Sequence, residues 1–229
     1  MKRLIFRLLT ILGGALAVSL LAVIIFYFWA SSGGYPRNKY EEIVEYNTTN
    51  TGNSTSQNKI DQDIFTIITY NIGYLSGLTN NVAVKTNRQL FDDNLLQAIA
   101  ALKPLNPDFI GLQEVDLASK RSFKVNQVEK LAKSLSFPQA AIGVNWDKNY
   151  VAFPYFPISA HFGRILSSQA ILSRYPIESH QRIVLEKVAD NPFYYNAFYI
   201  DRLAQVSKIK INNSTQSRTL VLINVHLEA

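Results

Sequence analysis

Residues 8–30 of this 229-residue chain carry no charged side chain and are apolar almost throughout. A helix of that length is sufficient to cross the hydrocarbon layer of a bilayer, about 30 Å thick, and the segment is read as a single-pass anchor. Lys2, Arg3 and Arg7 precede or open the run, which favours a cytoplasmic N-terminus, while Tyr27 and Trp29 suit the opposite interface. The rest of the chain is then expected outside the cytoplasm. Ala30, Ser31 and Ser32 also offer small residues for signal-peptide cleavage, the alternative in which the product is secreted or periplasmic. The apolar core is unusually long for a signal peptide, so the retained anchor is preferred.

Behind the anchor the chain divides in two. Residues 31–58 read as a disordered polar linker: Gly33, Gly34 and Pro36 interrupt regular structure, and residues 47–58 are almost entirely Asn, Thr, Gly, Ser and Gln. Asn47, Asn53 and Asn213 begin glycosylation-type tripeptides, which Asn/Thr-rich sequence also produces by chance. Residues 59–229 are long enough for one domain. Cysteine is absent, which rules out disulfides and thiolate metal ligation. Of the formal charge of +6, three units come from Lys2, Arg3 and Arg7, leaving +3 over residues 31–229. That balance is too mild to argue for nucleic acid by itself.

Three stretches of the domain share one design. Residues 109–112, Phe-Ile-Gly-Leu, form an apolar run suited to a strand covered on both faces, followed by Gln113 and Glu114 where it is expected to surface. Residues 67–73 form another such strand, ending in Asn71 and Gly73, and residues 220–226 a third, ending in His226. An amide, a carboxylate and an imidazole thus arrive at C-terminal strand ends, where open α/β sheets place ligands. A carboxylate at the exit of a buried strand stands on a rigid platform for a divalent cation.

The set TYNIG, DFIGLQEVD, FGRILSSQAILSRYPI, YIDRLAQVSKIKI and VLINVHLEA resembles the endonuclease/exonuclease/phosphatase superfamily, which includes pancreatic-type deoxyribonuclease, neutral sphingomyelinases and inositol polyphosphate phosphatases. The resemblance covers about residues 63–229 and rests on the order of the motifs. It implies an α/β sandwich of β-sheets flanked by helices, a partial form of the deoxyribonuclease-like four-layer fold that lacks its C-terminal part. The family's Gly-Asp-x-Asn turn and C-terminal Ser-Asp-His motif are not found before Ala229.

The resemblance also implies roles. Glu114 is the expected ligand of Mg²⁺ or Mn²⁺, hard ions that prefer oxygen. Asn71 is expected to support the metal or its water through the amide oxygen, and His226 to hydrogen-bond a phosphate oxygen and assist the transition state. Arg202 is a candidate phosphate contact; pairing with a neighbouring carboxylate is the alternative. His161, in an aromatic and proline-rich loop over residues 146–163, is a candidate substrate contact, and His180 is read as a surface residue. Tyr150, Phe153, Tyr155 and Phe156 of that loop are expected either to line the substrate mouth, to touch a membrane, or to fold over a cluster of their own.

Helices are expected from a cap at Thr86 to about Leu102, and over about 122–136. The strand, helix, strand order before residue 113 favours a parallel pair with a covering helix. The function implied is metal-dependent phosphoester hydrolysis, with a phospholipid headgroup, a small phosphodiester or nucleic acid as substrate and no obligate protein partner evident. The alternatives are a catalytically incompetent fragment, expected to lack efficient turnover and to leave one strand edge unpaired, and a membrane-anchored binding module using the same cleft.

Overall fold

A computed structural model describes residues 2–46, 64–212 and 217–227. The Asn/Thr-rich stretch 47–58, the three glycosylation-type asparagines at 47, 53 and 213, and Glu228 lie outside the described residues. The apolar N-terminal run is one helix, α1 (Lys2–Ser31), long and apolar enough to cross a membrane, with its apolar side chains exposed along its length.

Residues 31–46, expected as linker, are ordered against the domain. A short 3₁₀ turn, Arg37–Lys39, leads into β1 (Glu41–Glu45), which pairs antiparallel with β4 (Gln139–Val151). The glycines and proline that suggested a tether instead make a tight corner. Asp147 of β4 accepts hydrogen bonds from the backbone N–H groups of Gly34 (3.3 Å) and Tyr35 (2.8 Å) and from the Tyr40 hydroxyl (2.8 Å). Burial alone would raise the Asp147 pKa, but these bonds and the adjacent Arg164 hold it below its usual value.

The domain has two sheets. The larger takes the order β1-β4-β5-β3-β2, with β2 at Ile67–Asn71, β3 at Phe109–Asp116 and β5 at Gly163–Ser173. The smaller takes the order β6-β7-β8, at Ile177–Val184, Leu203–Asn212 and Ser217–Val225. β2 and β3 are parallel, as a strand, helix, strand unit requires, and α2 (Arg88–Leu102) is the crossover. Its cap is Asn87 rather than Thr86: the Asn87 side chain accepts from the N–H groups of Gln89 and Leu90. The second helix, α3 (Gln127–Ser134), is shorter than its apolar stripe suggests. Phe123 and Lys124 sit in left-handed conformations that end any helix there, and Asn126 caps α3 by accepting from the Glu129 N–H.

Two apolar layers hold these parts together. Leu102, Ile110, Leu112, Val115, Val128, Leu131 and Leu172 fill the space between the large sheet and the helices. Phe109, Ala141, Ile171, Ile177 and Ile209 fill the space between the sheets. The loop expected over 146–163 is narrowed to residues 152–162, because β4 runs to Val151 and β5 begins at Gly163. Among the described residues β8 pairs only with β7, and Val221, Ile223 and Val225 face outward from it. The last helix, α4 (Phe193–Asn196), is a single turn before β7.

Candidate active site

β3 does not surface at Gln113 as expected; it continues two residues past Glu114, to the buried Asp116. What turns Glu114 outward is a bulge. Ile110 and Leu112 face the helices, so strict alternation would send Glu114 into that core. Instead the pairing with β5 shifts register between Leu112 and Val115, Glu114 takes φ +51°, and Val115 occupies the core position. The carboxylate is thereby delivered to the rim at the C-terminal end of β3.

Two amides hold it there. Asn71 Nδ2 donates to Glu114 Oε1 at 3.1 Å, and Asn80 Nδ2 donates to Oε2 at 3.1 Å. The Asn71 Oδ1 accepts from the Gly73 N–H at 3.0 Å, so Asn71 presents its nitrogen, not its oxygen, to the carboxylate. Gly73 has φ +53°, and a Cβ there would approach the Asn80 amide to 3.2 Å. The glycine of the TYNIG stretch therefore leaves room for the second amide.

The other sheet supplies the remaining groups. Leu220, Leu222 and Asn224 of β8 face inward, and His226 continues that row just beyond the strand. Its Nε2 lies 3.6 Å from Glu114 Oε1. Arg202, which immediately precedes β7, places Nη1 3.2 Å from His226 Nδ1 and Nη2 3.5 Å from the Tyr199 hydroxyl. The Glu114 and His226 side chains are 17% and 19% exposed, which leaves both accessible to a small ligand.

Glu114 and Arg202 open on a cavity of about 600 Å³, walled by Tyr74, Trp146, Phe153, Phe162 and Tyr199. Tyr74 lies under the guanidinium of Arg121, 3.3 Å from its ring centroid, and burial pushes its phenol up to about 12. Arg121 is itself buried and makes a two-point contact with Asp116, at 3.1 Å for each bond, and a 3.0 Å bond to Ser167. Burial works against its charge, yet Asp116 beside it holds the pKa above the ordinary arginine value.

Of the residues singled out from sequence, Asn71, Glu114, Arg202 and His226 meet in one place. His161 is elsewhere: its Nδ1 is 2.7 Å from the Tyr150 hydroxyl, its Nε2 is 3.2 Å from the Tyr155 carbonyl, and it does not line the cavity. His180 is not a surface residue. It is buried between the sheets, 3.1 Å from Ser207 Oγ, because β6 turns it inward. Asn80, Tyr74 and Tyr199 escaped sequence reading, since an asparagine in a loop and tyrosines in an aromatic-rich chain carry no spacing that marks them.

The donor set offers one carboxylate, an oxygen ligand of the kind a hard divalent cation takes. Mg²⁺ keeps most of its waters and uses one or two carboxylates together with substrate phosphate oxygens. One carboxylate oriented by two amides, with an arginine and a histidine alongside, matches that requirement. No group of three or more His, Cys, Asp or Glu side chains placed to hold a metal occurs among the described residues.

A family model described as Endonuclease/Exonuclease/phosphatase family matches residues 68–208. Among solved structures, the chain is similar to an endonuclease/exonuclease/phosphatase from Beutenbergia cavernae DSM 12333, at 17% identity and TM-score 0.46, covering 71% of this chain and 38% of that one. It is also similar to D. rerio TDP2 humanized by 14 mutations, at 16% identity and TM-score 0.39 over 72% of this chain and 48% of that one. Truncated Caenorhabditis elegans TDP2 gives 18% identity and TM-score 0.39 over 72% and 47%. The chain spans less than half the length of each of these three. A comparison with curated proteins finds no match.

Proposed function

The chain belongs to the endonuclease/exonuclease/phosphatase family, and from that premise we propose that it is a divalent-metal-dependent phosphoester hydrolase held at a membrane by α1, with its domain outside the cytoplasm. The observation that carries this reading is the meeting of Glu114, Asn71, Asn80, His226 and Arg202 at one rim of two sheets. Phosphoryl oxygens repel an attacking nucleophile, so hydrolysis needs neutralising charge and oriented donors. Glu114 is the side chain that would hold a Mg²⁺ or Mn²⁺ ion, which would supply the larger part of that neutralisation. Asn71 and Asn80 fix the carboxylate. Arg202 and His226 donate to the phosphate oxygens, and they do so where the developing charge is greatest. The Tyr74 hydroxyl stays protonated at neutral pH and lines the wall as a neutral donor.

The test is hydrolysis of bis(p-nitrophenyl) phosphate by the purified full chain in detergent. Turnover that requires Mg²⁺ or Mn²⁺ and is lost in Glu114→Ala supports the hydrolase. A second reading, a noncatalytic module that holds phosphate esters in the same cleft, is favoured by one observation: among the described residues, Glu114 is the single acidic residue in the cavity wall. Metal-dependent binding of the diester without turnover would establish that module in place of the enzyme.

A further inference from the structure

The cavity has one wall that belongs to the anchor. Tyr27 of α1 lines it together with Phe153, Tyr155, Tyr194 and Tyr195. Tyr27 packs edge-on against Phe198 at 5.6 Å, and Phe26 meets Tyr150 at 5.9 Å. The helix end is also bonded to the domain. Lys148 Nζ donates to the Ser31 carbonyl at 2.9 Å, Asn149 Nδ2 to the Trp29 carbonyl at 3.1 Å, and the Asn149 N–H to the Ser32 carbonyl at 2.8 Å. These bonds satisfy carbonyls that a helix C-terminus leaves without partners. The corner that follows is equally tight, since a Cβ at Gly33 would stand 2.2 Å from Asp147 Oδ2. The domain therefore does not swing on a tether; the angle between anchor and cavity is set.

That angle has a depth. Twenty residue steps lead from Arg7 to Tyr27. At about 1.5 Å per residue they span about 30 Å, the thickness of the hydrocarbon layer. With Arg7 at one interface, Tyr27 and the cavity wall it forms lie at the other, where rings with polar tips are favoured. Tyr155 of the cavity wall is 78% exposed, its chain neighbours Phe156 and Ile158 are 80% and 70% exposed, and Phe193, whose ring packs edge-on against the lining residue Tyr194 at 5.7 Å, is 79% exposed. Four large apolar side chains held in water on one rim are unfavourable, whereas insertion at the headgroup boundary buries them.

We propose that this aromatic rim is a membrane-contact surface, seated on the leaflet from which α1 emerges, and that the cavity takes a phosphate ester carried by a membrane lipid. The chemistry rests on the hydrolase reading above, and the placement on retention of α1. In the reaction a water oxygen bonds to phosphorus, the phosphorus–oxygen bond to the leaving alcohol breaks, and a proton from the water ends on that alcohol oxygen.

The chain contains no cysteine, so single-cysteine variants can be labelled cleanly. Phe156→Cys, Phe193→Cys and a control, Leu105→Cys, exposed beside the N-terminal end of β3, are spin-labelled in the full chain and reconstituted into phosphatidylcholine/phosphatidylglycerol vesicles. Their depth is read from relaxation by oxygen against a water-soluble nickel chelate. Labels at 156 and 193 shielded from nickel, with the 105 label in water, support the contact surface; all three in water overturn it, whether or not the protein is active. In the same vesicles, hydrolysis of a fluorescent-acyl phospholipid is compared with that of bis(p-nitrophenyl) phosphate. Lipid turnover lost in Glu114→Ala, and reduced at least tenfold in Phe156→Ser/Phe193→Ser with the soluble diester unaffected, supports the lipid substrate. Glu114-dependent turnover of the soluble diester alone overturns it while sparing the hydrolase. Turnover of neither, with shielded labels, defeats the hydrolase and leaves the contact surface standing.

Discussion

His226 Nε2 stands 3.6 Å from Glu114 Oε1, although the two residues come from different sheets and are 112 positions apart. Each sheet sends one inward-facing row to the same rim, and a bulge in β3 redirects the carboxylate toward the imidazole. The site is therefore a property of how the sheets are stacked, and groups that set the stacking matter as much as those that touch substrate.

Replacing the acidic side chain tests the centre directly. Glu114→Gln keeps the shape and removes the charge that a cation requires. Turnover is expected to fall at least a hundredfold, about the scale of losing a principal electrostatic contact in a catalytic site. Mg²⁺ should raise the Tm of the wild type, since ligand at a hundred times its Kd adds about 2.7 kcal/mol, and leave that of Glu114→Gln unchanged. Thermal melts with and without Mg²⁺ decide this separately from the activity assay.

The same position carries backbone strain. A residue with a Cβ at φ +51° is disfavoured, by about 1–2 kcal/mol, while glycine is not. Glu114→Gly and Glu114→Ala both leave the Asn71 and Asn80 amides without their acceptor, so the difference between them isolates the backbone. Chemical denaturation is expected to find the glycine variant more stable than the alanine variant by about 1 kcal/mol. Equal stabilities would mean that the bulge relaxes when the carboxylate is gone.

Much of this arrangement was legible in the sequence. Apolar runs ending at Asn71, Glu114 and His226 announced strands that deliver polar groups to one edge, because burial of a strand is written in consecutive apolar residues. The parallel β2–β3 pair followed from the helix between them. What escaped was set by tertiary contact. The ordering of residues 31–46 depends on Asp147, more than a hundred positions away, and no local pattern shows that Gly34 and Tyr35 have a carboxylate waiting. Asn80 was invisible for the same reason. His180 was misread because β6 alternates polar residues that face both water and a polar interior, so polarity along that strand does not distinguish the two sides.

That polar interior makes a third test possible. Between the sheets, Gln113 Nε2 donates to Asn224 Oδ1, and Asn224 Nδ2 donates to the Leu112 carbonyl at 3.1 Å and to Gln205 Oε1 at 3.0 Å. Gly111 faces this amide: a Cβ there would come within 3.2 Å of Asn224 Oδ1. Asn224→Leu removes the donor to the buried Gln205 Oε1, at roughly 1–3 kcal/mol for an unsatisfied group, and takes one acceptor from Gln113 Nε2, which keeps its bonds to Thr69 Oγ1 (3.1 Å) and the Gly111 carbonyl (3.3 Å). A loss of about 3 kcal/mol corresponds to a fall in Tm of roughly 6–12 °C for a domain of this size. Because Gln113 adjoins Glu114, the Kd for Mg²⁺, measured by titration calorimetry, is expected to weaken as well.

The last test concerns acid. His180 is enclosed between β6, β7 and the large sheet, and burial pushes its pKa below the ordinary histidine value, with Glu41 opposing more weakly. The folded state thus holds the ring neutral, while the unfolded chain takes up a proton near pH 6.5. Below that pH the unfolded state binds more protons than the native one, so stability falls as the pH drops. The stabilising contribution is complete above about pH 6.5 and is lost as the pH falls from there toward the depressed native pKa. Wild type is expected to lose Tm between about pH 7.5 and pH 5, and His180→Gln, which has no proton to take up, to lose less across the same range. Every other ionisable group is common to both proteins, so the difference between the two melting curves belongs to His180. A steeper loss in the variant would show that the imidazole is charged in the fold and that Glu41, not burial, governs it.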